Sequence, residues 1–161
     1  MENSQKVVVF DSGNEEYAIS IETVLSIEKN DTITPIPHLP SFMLGIINVR
    51  GELVPVLDFE EILYHRSSED FEQAKILVLK TNQLSLAIRV KDAKEIIDIE
   101  PENLKQVGLV AYSNTTYFTA IAHLEDRLIT MVDPAILVNS LDGMKEIQEY
   151  MNEVKKEQIS I

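Results

Sequence analysis

Residues 45–58 read Gly45-Ile46-Ile47-Asn48-Val49-Arg50-Gly51-Glu52-Leu53-Val54-Pro55-Val56-Leu57-Asp58 and form the most distinctive stretch of this chain. Two apolar segments, Met43 to Val49 and Glu52 to Leu57, flank Arg50-Gly51, a pattern that predicts a β-hairpin. In its turn we expect Asn48 to bind nearby backbone groups and Gly51 to adopt a positive φ, with Arg50 in solvent. An arginine at this place is also suited to a bidentate contact with a partner's carboxylate or carbonyls.

The same strand-turn-strand pattern recurs on both sides of this stretch. Turn-forming residues such as Ser12-Gly13-Asn14 separate short segments that are rich in β-branched and aromatic residues. Between Ile33 and Pro40, three prolines predict an extended connector rather than a helix or a ladder strand. The further predicted strands are Val7 to Asp11 with Glu15 to Ser20, Ala74 to Lys80 with Leu84 to Val90, Tyr117 to His123 with Leu128 to Val132, and Lys94 to Glu100 alone. The fold is therefore predicted to be mainly β.

Three helices are predicted, two of them directly after a strand. Asp58 and Asp133 can each cap a short helix, the second aided by Pro134 at the first helical position. From Ser140 to Lys156 no proline intervenes, and apolar residues recur every three or four positions, which predicts an amphipathic helix packed on the β-structure. The apolar residues of this helix are Leu141, Met144, Ile147, Met151 and Val154.

The chain looks internally duplicated. Leu53 to Asp58 aligns with Leu128 to Asp133 at an offset of 75 residues, and each aspartate precedes a predicted short helix. Upstream, apolar residues between Val8 and Ile27 align with those between Leu77 and Ile96 at an offset of 69. The repeated unit consists of a hairpin, a strand, a connector, a second hairpin and a capped helix. It provides about five strands, enough for a small closed barrel, so we expect two such barrels in one body.

Composition restricts the class of protein. With 161 residues, 45% of them hydrophobic, the chain suits one domain with barrels over residues 5–139 and a C-terminal helix over 140–156. The absence of cysteine excludes disulfides and thiolate metal sites and is typical of a reducing compartment. No signal peptide or membrane-spanning run is visible, so we expect a cytoplasmic protein without membrane insertion. A formal net charge of -13 disfavours nucleic acid as a partner.

Catalytic and cofactor motifs are missing from the sequence. His38, His65 and His123 lie far apart, without the spacing of zinc ligands. We find no nucleophile elbow, P-loop or dinucleotide-binding glycine pattern. The neighbouring carboxylates Glu15-Glu16 and Glu60-Glu61 diverge on either a strand or a helix, so they do not indicate an acid and base pair. We therefore expect a protein that is not an enzyme and that needs no metal or cofactor.

These segments together resemble CheW-like domains of bacterial chemotaxis. The family's Asn-Leu-Arg-Gly signature appears here as Asn48-Val49-Arg50-Gly51, and the resemblance covers roughly residues 5 to 138. It implies two intertwined five-stranded SH3-like barrels and a non-enzymatic adaptor. The implied partners are the regulatory domain of a CheA-like histidine kinase and the cytoplasmic tip of chemoreceptors, at arrays on the inner face of the membrane.

The resemblance also implies a receptor-binding groove between the barrels, while it assigns no kinase-contact residues here. We expect a groove that is apolar with a few polar anchors, since it would hold a helical hairpin. Arg50 is the residue on which this expectation depends most. Carried over position by position, the groove consists of Val24, Ile27, Gly45, Ile47, Asn48, Arg50, Gly51, Ala87, Ile88 and Ala93.

Several positions depart from the family pattern. The usual Val-Asp-x-Val becomes Val90-Lys91-Asp92-Ala93, Ala87 replaces a glycine, and Ser26 replaces an acidic residue. A glycine of the second half, near residues 120–122, is absent as well. These departures raise a second hypothesis, a divergent CheW-like paralogue that serves another sensory kinase array.

Two further alternatives are compatible with parts of the sequence. A CheV-like protein would carry a receiver domain, for which the roughly 20 residues after Val138 are too few. A small β-barrel hydrolase using His38, His123 and Asp126 is a remote alternative. Convergent polar groups in a pocket would favour this enzyme, whereas a shallow apolar groove favours the adaptor.

Overall fold

A computed structural model describes residues 4–29, 33–66, 73–81, 85–106 and 117–159. Predicted strand residue Leu84 and the turn residues Asn82 and Gln83 lie outside this part of the chain. In chain order the elements are β1 (Gln5–Ser12), β2 (Glu15–Ser20), β3 (Val24–Lys29), β4 (Met43–Val49), β5 (Glu52–Asp58), α1 (Phe59–Tyr64), β6 (Lys75–Lys80), β7 (Ser85–Val90), β8 (Asp92–Ile99), β9 (Leu104–Gln106), β10 (Phe118–Leu124), β11 (Arg127–Val132), α2 (Pro134–Ser140) and α3 (Met144–Ile159).

The strands form two sheets, and each sheet draws on both halves of the chain. The six-stranded sheet has the order β8-β1-β2-β11-β10-β9, and the five-stranded sheet has the order β3-β6-β7-β5-β4. The hairpin β1–β2 of the first half therefore pairs with β8 and β11, while β6–β7 of the second half lies between β3 and β5. The predicted mainly β class with two intertwined units is confirmed, and β9 is a strand that the sequence pattern did not predict.

The strand registers repeat with the offsets read from the sequence. In the parallel pair β5–β7, Val56 lies opposite Ala87, and in the parallel pair β11–β2, Met131 lies opposite Ala18. Val56 and Met131 are 75 residues apart in the chain, and Ala18 and Ala87 are 69 residues apart. The antiparallel pairs of β3 with β6 and of β8 with β1 are related in the same way. The structure thus confirms the duplication, with the two sheets as its equivalent units.

Three apolar cores hold the sheets together. In β6, Ile76 and Val78 face an inner core of the five-stranded sheet, whereas Leu77 and Leu79 face a core shared by both sheets and the helices. Successive side chains of a strand point to opposite faces, so this strand is apolar on both. The inner core of the six-stranded sheet uses the equivalent positions, since Val7, Val9, Ala18, Ala122, Ile129 and Met131 correspond to Ile76, Val78, Ala87, Ile47, Val54 and Val56.

The connector after β3 is neither a helix nor a ladder strand, as predicted, and it approaches β4 closely, but it is not extended throughout, because it turns at Pro37 and His38, where φ is 68° at His38. Thr34 and Ile46 exchange two backbone hydrogen bonds of 2.9 Å. This approach requires Gly45, because a Cβ at that position would lie 2.1 Å from the carbonyl oxygen of Thr34. The connector is thereby fixed beside the hairpin β4–β5.

Both short helices are capped as predicted. Asp58 and Asp133 each accept hydrogen bonds on Oδ1 from the backbone N–H groups two and three residues ahead, at 2.9 to 3.3 Å. The caps satisfy N–H groups that have no partner within the helix. The two corners from strand to helix are therefore equivalent, as the sequence repeat indicates.

The C-terminal helix begins later than the predicted Ser140. Ser140 is the last residue of α2, and α3 starts only at Met144. The helical path ends at Leu141, whose backbone is extended with a φ of -89° and a ψ of 129°, and Gly143 then adopts a φ of 97° beside Pro40 before α3 begins. From there α3 packs against β5, and Met144, Ile147 and Met151 enter the shared core.

Candidate protein-interaction site

The turn between β4 and β5 displays one arginine on a tight frame. Arg50 and Gly51 have φ values of 51° and 89°, and the backbone N–H of Gly51 donates a 2.8 Å hydrogen bond to Asn48 Oδ1. Positive φ at both central residues is the geometry of a two-residue hairpin turn that matches the twist of its strands. The expected roles of Asn48 and Gly51 in the turn are confirmed. A non-glycine residue in this conformation costs about 1–2 kcal/mol, so the backbone of Arg50 adopts an unusual conformation that the rest of the fold must offset.

Arg50 differs from the arginine next to the equivalent turn in the second half. Arg127 donates to Glu16 at 2.7 Å and to Glu95 at 2.6 Å, and these hydrogen bonds raise the pKa of its guanidinium above the ordinary value. Arg127 therefore joins three strands of its own sheet. Arg50 is exposed and has no ion pair or hydrogen bond to any other side chain within the described residues. Its five donors are available to another molecule.

A cleft lies beside this turn, where the two outer strands of the five-stranded sheet face each other. Its volume is about 580 Å³, and Ile76 of β6 contributes to its lining. Because β3 and β4 are the end strands of this sheet, the cleft marks the seam along which the barrel is open. The remaining lining residues are Ile27, Glu28 and Lys29 from β3 and Ile47, Asn48 and Val49 from β4.

Five of the ten predicted groove residues come together at this place. Ile27, Ile47 and Asn48 line the cleft, and Arg50 and Gly51 follow directly at the end of β4. Ile27 is 42% exposed, so an apolar side chain is offered to solvent in the cleft. Apolar contact area near an exposed charged group is the composition expected of a protein-binding surface.

The other five predicted residues lie away from the cleft surface. Ala87 and Ile88 are fully buried, so neither can touch a docked partner in this conformation. Val24 and Ala93 are half-buried against the shared core, and Gly45 lies under the connector. Burial of Ala87 also means that its departure from the family's glycine leaves the surface unchanged.

Four residues of the cleft were not identified from the sequence: Glu28, Lys29, Val49 and Ile76. They alternate along strands in the manner of ordinary core and surface positions. Only the placement of β3 opposite β4 brings them to one site, and that placement depends on contacts between distant parts of the chain. Local sequence patterns carry no signal for it.

The residues of the remote hydrolase hypothesis belong to different parts of the fold. His38 is exposed in the connector, whereas His123 and Asp126 are exposed in and beside β10. Within the described ranges, no three histidine or acidic side chains are grouped so that they could hold a metal ion. None of the helices in these ranges is long and apolar enough to cross a membrane.

Comparison with known proteins assigns the family. The CheW-like domain matches residues 6–142, which is most of the chain and ends just before α3. The chain belongs to the CheW family. A relative named chemotaxis protein CheW from Helicobacter pylori is 31% identical, over 74% of this chain and 73% of that protein. The CheW of Klebsiella aerogenes is 29% identical, over 84% of this chain and 82% of that protein.

A solved structure agrees with the CheW assignment. The crystal structure of the scaffolding protein TtCheW from Thermoanaerobacter tengcongensis matches with a TM-score of 0.78 and 26% identity. The match covers 89% of this chain and 96% of that one. As a CheW-family member the chain is a non-enzymatic scaffold of chemotaxis signalling.

Proposed function

We propose that this CheW-family scaffold couples chemoreceptors to a chemotaxis histidine kinase. It acts in the cytoplasm, at receptor arrays on the inner face of the membrane. The cytoplasmic tip of a receptor binds across the cleft and the β4–β5 turn, and the regulatory domain of a CheA-like kinase binds elsewhere on the chain.

The observation that carries this proposal is Arg50 beside the cleft, which is exposed and has no ion pair among the residues that the structure describes. An arginine contributes most to binding at an interface when its hydrogen-bond donors are not already occupied by side chains of its own protein and can bind a partner's carboxylate in a bidentate way. Asn48 supports the same arrangement, because its amide holds the turn in shape at 2.8 Å from Gly51 N. Ile27, which is 42% exposed, supplies apolar area for one face of a helix, whereas Ile47 in the cleft lining is only 8% exposed.

Ala87, Ile88 and Gly45 act in this proposal by shaping the site rather than by touching the receptor. Ala87 packs in the inner core with the cleft residues Ile47 and Ile76, Ile88 faces the shared core, and Gly45 lets the connector approach β4. Val24 and Ala93 lie at the edge of the shared core, where a partner that spans both sheets would reach them.

The test is a pull-down with purified protein as bait, using a receptor cytoplasmic fragment and the kinase from the same organism. Arg50→Ala is expected to retain the kinase and to weaken receptor binding at least about tenfold, as for loss of a central arginine contact. The matched control is Glu125→Ala, because Glu125 has a φ of 49° in the equivalent turn of the other sheet. Both variants remove a side chain from the same backbone conformation.

The outcomes separate the hypotheses. Receptor loss in Arg50→Ala with full binding in Glu125→Ala supports the proposed site. Equal binding by both variants would place the receptor elsewhere. Failure of the unaltered protein to bind either partner would favour a paralogue that serves another sensory array.

A further inference from the structure

The duplication makes the two halves comparable position by position, and one surface differs between them. The outer face of the hairpin β4–β5 is covered, since Ile46 is only 7% exposed. At the equivalent positions of the hairpin β10–β11, Ile121 is half-buried and Leu128 is 61% exposed. Among the described residues, neither Ile121 nor Leu128 belongs to any of the three cores.

The register shows that these residues form one continuous face. On β10 and β11, Ile121 lies opposite Thr130 and His123 lies opposite Leu128. Directly opposed residues of antiparallel strands share a face. We call Ile121, His123, Leu128 and Thr130 the β10–β11 face. It corresponds to Ile46, Asn48, Leu53 and Pro55 of the first half, which are paired in the same register.

The difference between the halves follows from α3. This helix of 16 residues packs against β5, and its side chains Met144, Ile147 and Met151 share a core with Ile46. The repeat would place an equivalent helix after α1. Only residues 65–74 connect α1 to β6, too few for a helix of that length and its turns. Among the residues that the structure describes, the apolar face of the second hairpin therefore has no helix equivalent to α3.

Acidic charges predominate around the β10–β11 face, where three carboxylates lie against a single nearby lysine of β9, the exposed Lys105 opposite Ile121. Glu125 and Asp126 form the adjoining turn. Glu15 lies on β2, where the next residue, Glu16, pairs with Ile129 of β11. All three are exposed, and none has an ion pair within the described part of the chain. The charge of the neighbouring Arg127 is already balanced by Glu16 and Glu95. A partner at this face should carry basic residues beside its apolar ones.

We propose that the β10–β11 face binds an amphipathic helix of a partner protein, one whose apolar stripe is flanked by lysine or arginine. The helix would lie on β10–β11 as α3 lies on β4–β5, with Leu128 at the centre of the contact. This surface lies on the other sheet from the cleft and the β4–β5 turn, so the proposal does not depend on the receptor site.

A basic version of α3 serves as the probe. It is a fluorescent peptide of residues 144–159 with Glu146→Lys, Glu149→Lys and Glu153→Lys, added to the isotope-labelled full-length protein. We expect amide shifts concentrated in β10 and β11 and an affinity that weakens with added salt. The unaltered α3 peptide should bind more weakly, because its glutamates would face Glu125 and Asp126.

Two variants decide the site. Leu128→Asp should weaken peptide binding about tenfold or more, since a buried leucine contact is lost and a charge is added. Leu25→Asp is the control, because Leu25 is 51% exposed on β3 of the other sheet, and it should bind as the unaltered protein does. Exposed positions such as these allow both variants to fold, which thermal unfolding verifies.

Three results would overturn the proposal. Equal affinity in Leu128→Asp would show that the peptide binds elsewhere. Shifts confined to β4, β5 and α3 would mean that the peptide only displaces the chain's own helix. Self-association without peptide, abolished by Leu128→Asp, would identify a second copy of the chain as the occupant of the face.

Discussion

At the scale of single residues, glycines in this fold serve two different needs. Gly45 permits contact between chain segments, because Thr34 O would lie 2.1 Å from an added Cβ. Gly51 is needed only for its own backbone conformation, since its φ is 89° and no atom lies within 4 Å of an added Cβ. The turn pattern predicted a positive φ at Gly51, whereas the family resemblance placed Gly45 in the receptor groove.

Gly45→Ala should therefore destabilise the protein more than Gly51→Ala. We expect a loss of about 1–3 kcal/mol or more for the first, from overpacking against a backbone carbonyl. The second should cost about 1–2 kcal/mol, from the left-handed conformation alone. Urea unfolding of both variants measures the difference. Equal losses would mean that the connector moves away from β4 without cost.

Tyr17 is a second residue whose environment makes a measurable prediction. Its ring packs between Phe10 and Phe118 at centroid distances of 6.0 and 5.9 Å, and its hydroxyl lies 2.6 Å from that of Tyr64. Burial, followed by this hydrogen bond, raises the pKa of Tyr17 above its ordinary value. The folded state therefore holds the phenolic proton more tightly than the unfolded state does.

The free energy of unfolding should accordingly fall as the pH rises through about 10, the ordinary pKa of tyrosine. Below that pH both states are protonated and the contribution of Tyr17 is fully present. Tyr17→Phe should lose about 1 kcal/mol at neutral pH with its hydrogen bond and should show a shallower fall at alkaline pH. Urea unfolding between pH 8 and about 11 tests this. Parallel curves for both proteins would contradict the assignment.

At the scale of elements, the two capped helices are the clearest product of the duplication. Asp58 is fully buried, whereas Asp133 is half-buried, although their hydrogen bonds are equivalent. Removing a cap leaves backbone N–H groups unsatisfied, and the loss is larger where water cannot replace the carboxylate.

Asp58→Ala should cost about 1–2 kcal/mol, and Asp133→Ala about 1 kcal/mol. Asp58→Asn should recover most of the loss, because an amide oxygen can accept the same two bonds. The measurement is chemical denaturation of the three single variants and of the double alanine variant. If the asparagine variant is as unstable as the alanine variant, the stabilisation comes from the negative charge of Asp58 rather than from its capping hydrogen bonds.

At the scale of the whole molecule, neither half can complete a sheet alone. The hairpin β1–β2 has both of its neighbours, β8 and β11, in the second half. The hairpin β6–β7 has both of its neighbours, β3 and β5, in the first half. Each half therefore depends on the other for its central strands.

Residues 1–70 and 71–161, expressed separately, should each be unfolded. Mixed in equal amounts, they should recover the native spectrum, since the missing pairs are then restored. Circular dichroism and amide spectra of the halves and of the mixture provide the test. Cooperative unfolding of either half by itself would show that strand exchange is not required for stability.

Prediction from sequence succeeded where the determining contacts are local. The hairpin turn at Arg50-Gly51, the caps at Asp58 and Asp133, and the strand alternation all depend on residues within a few positions of one another. The repeat also identified equivalent positions in the two halves of the chain. The family resemblance added the intertwined arrangement, while its receptor groove stays a prediction. The start of α3 was misplaced, because the chain leaves the helical conformation at Leu141 and turns at Gly143, a break that the apolar spacing over residues 140–156 does not show.

The sequence by itself determined the mainly β class, the duplicated order of hairpins and capped helices, and the exposed arginine at a tight turn. Only the tertiary structure decided which strands share a sheet, that Ala87 and Ile88 are buried behind the candidate site, and that β3 meets β4 across an open cleft. The physical reason is that turns and caps are set by local hydrogen bonds and steric preferences. Sheet order and burial arise from pairings between residues far apart in the chain. A sequence repeat shows which positions are equivalent but not which strands pair.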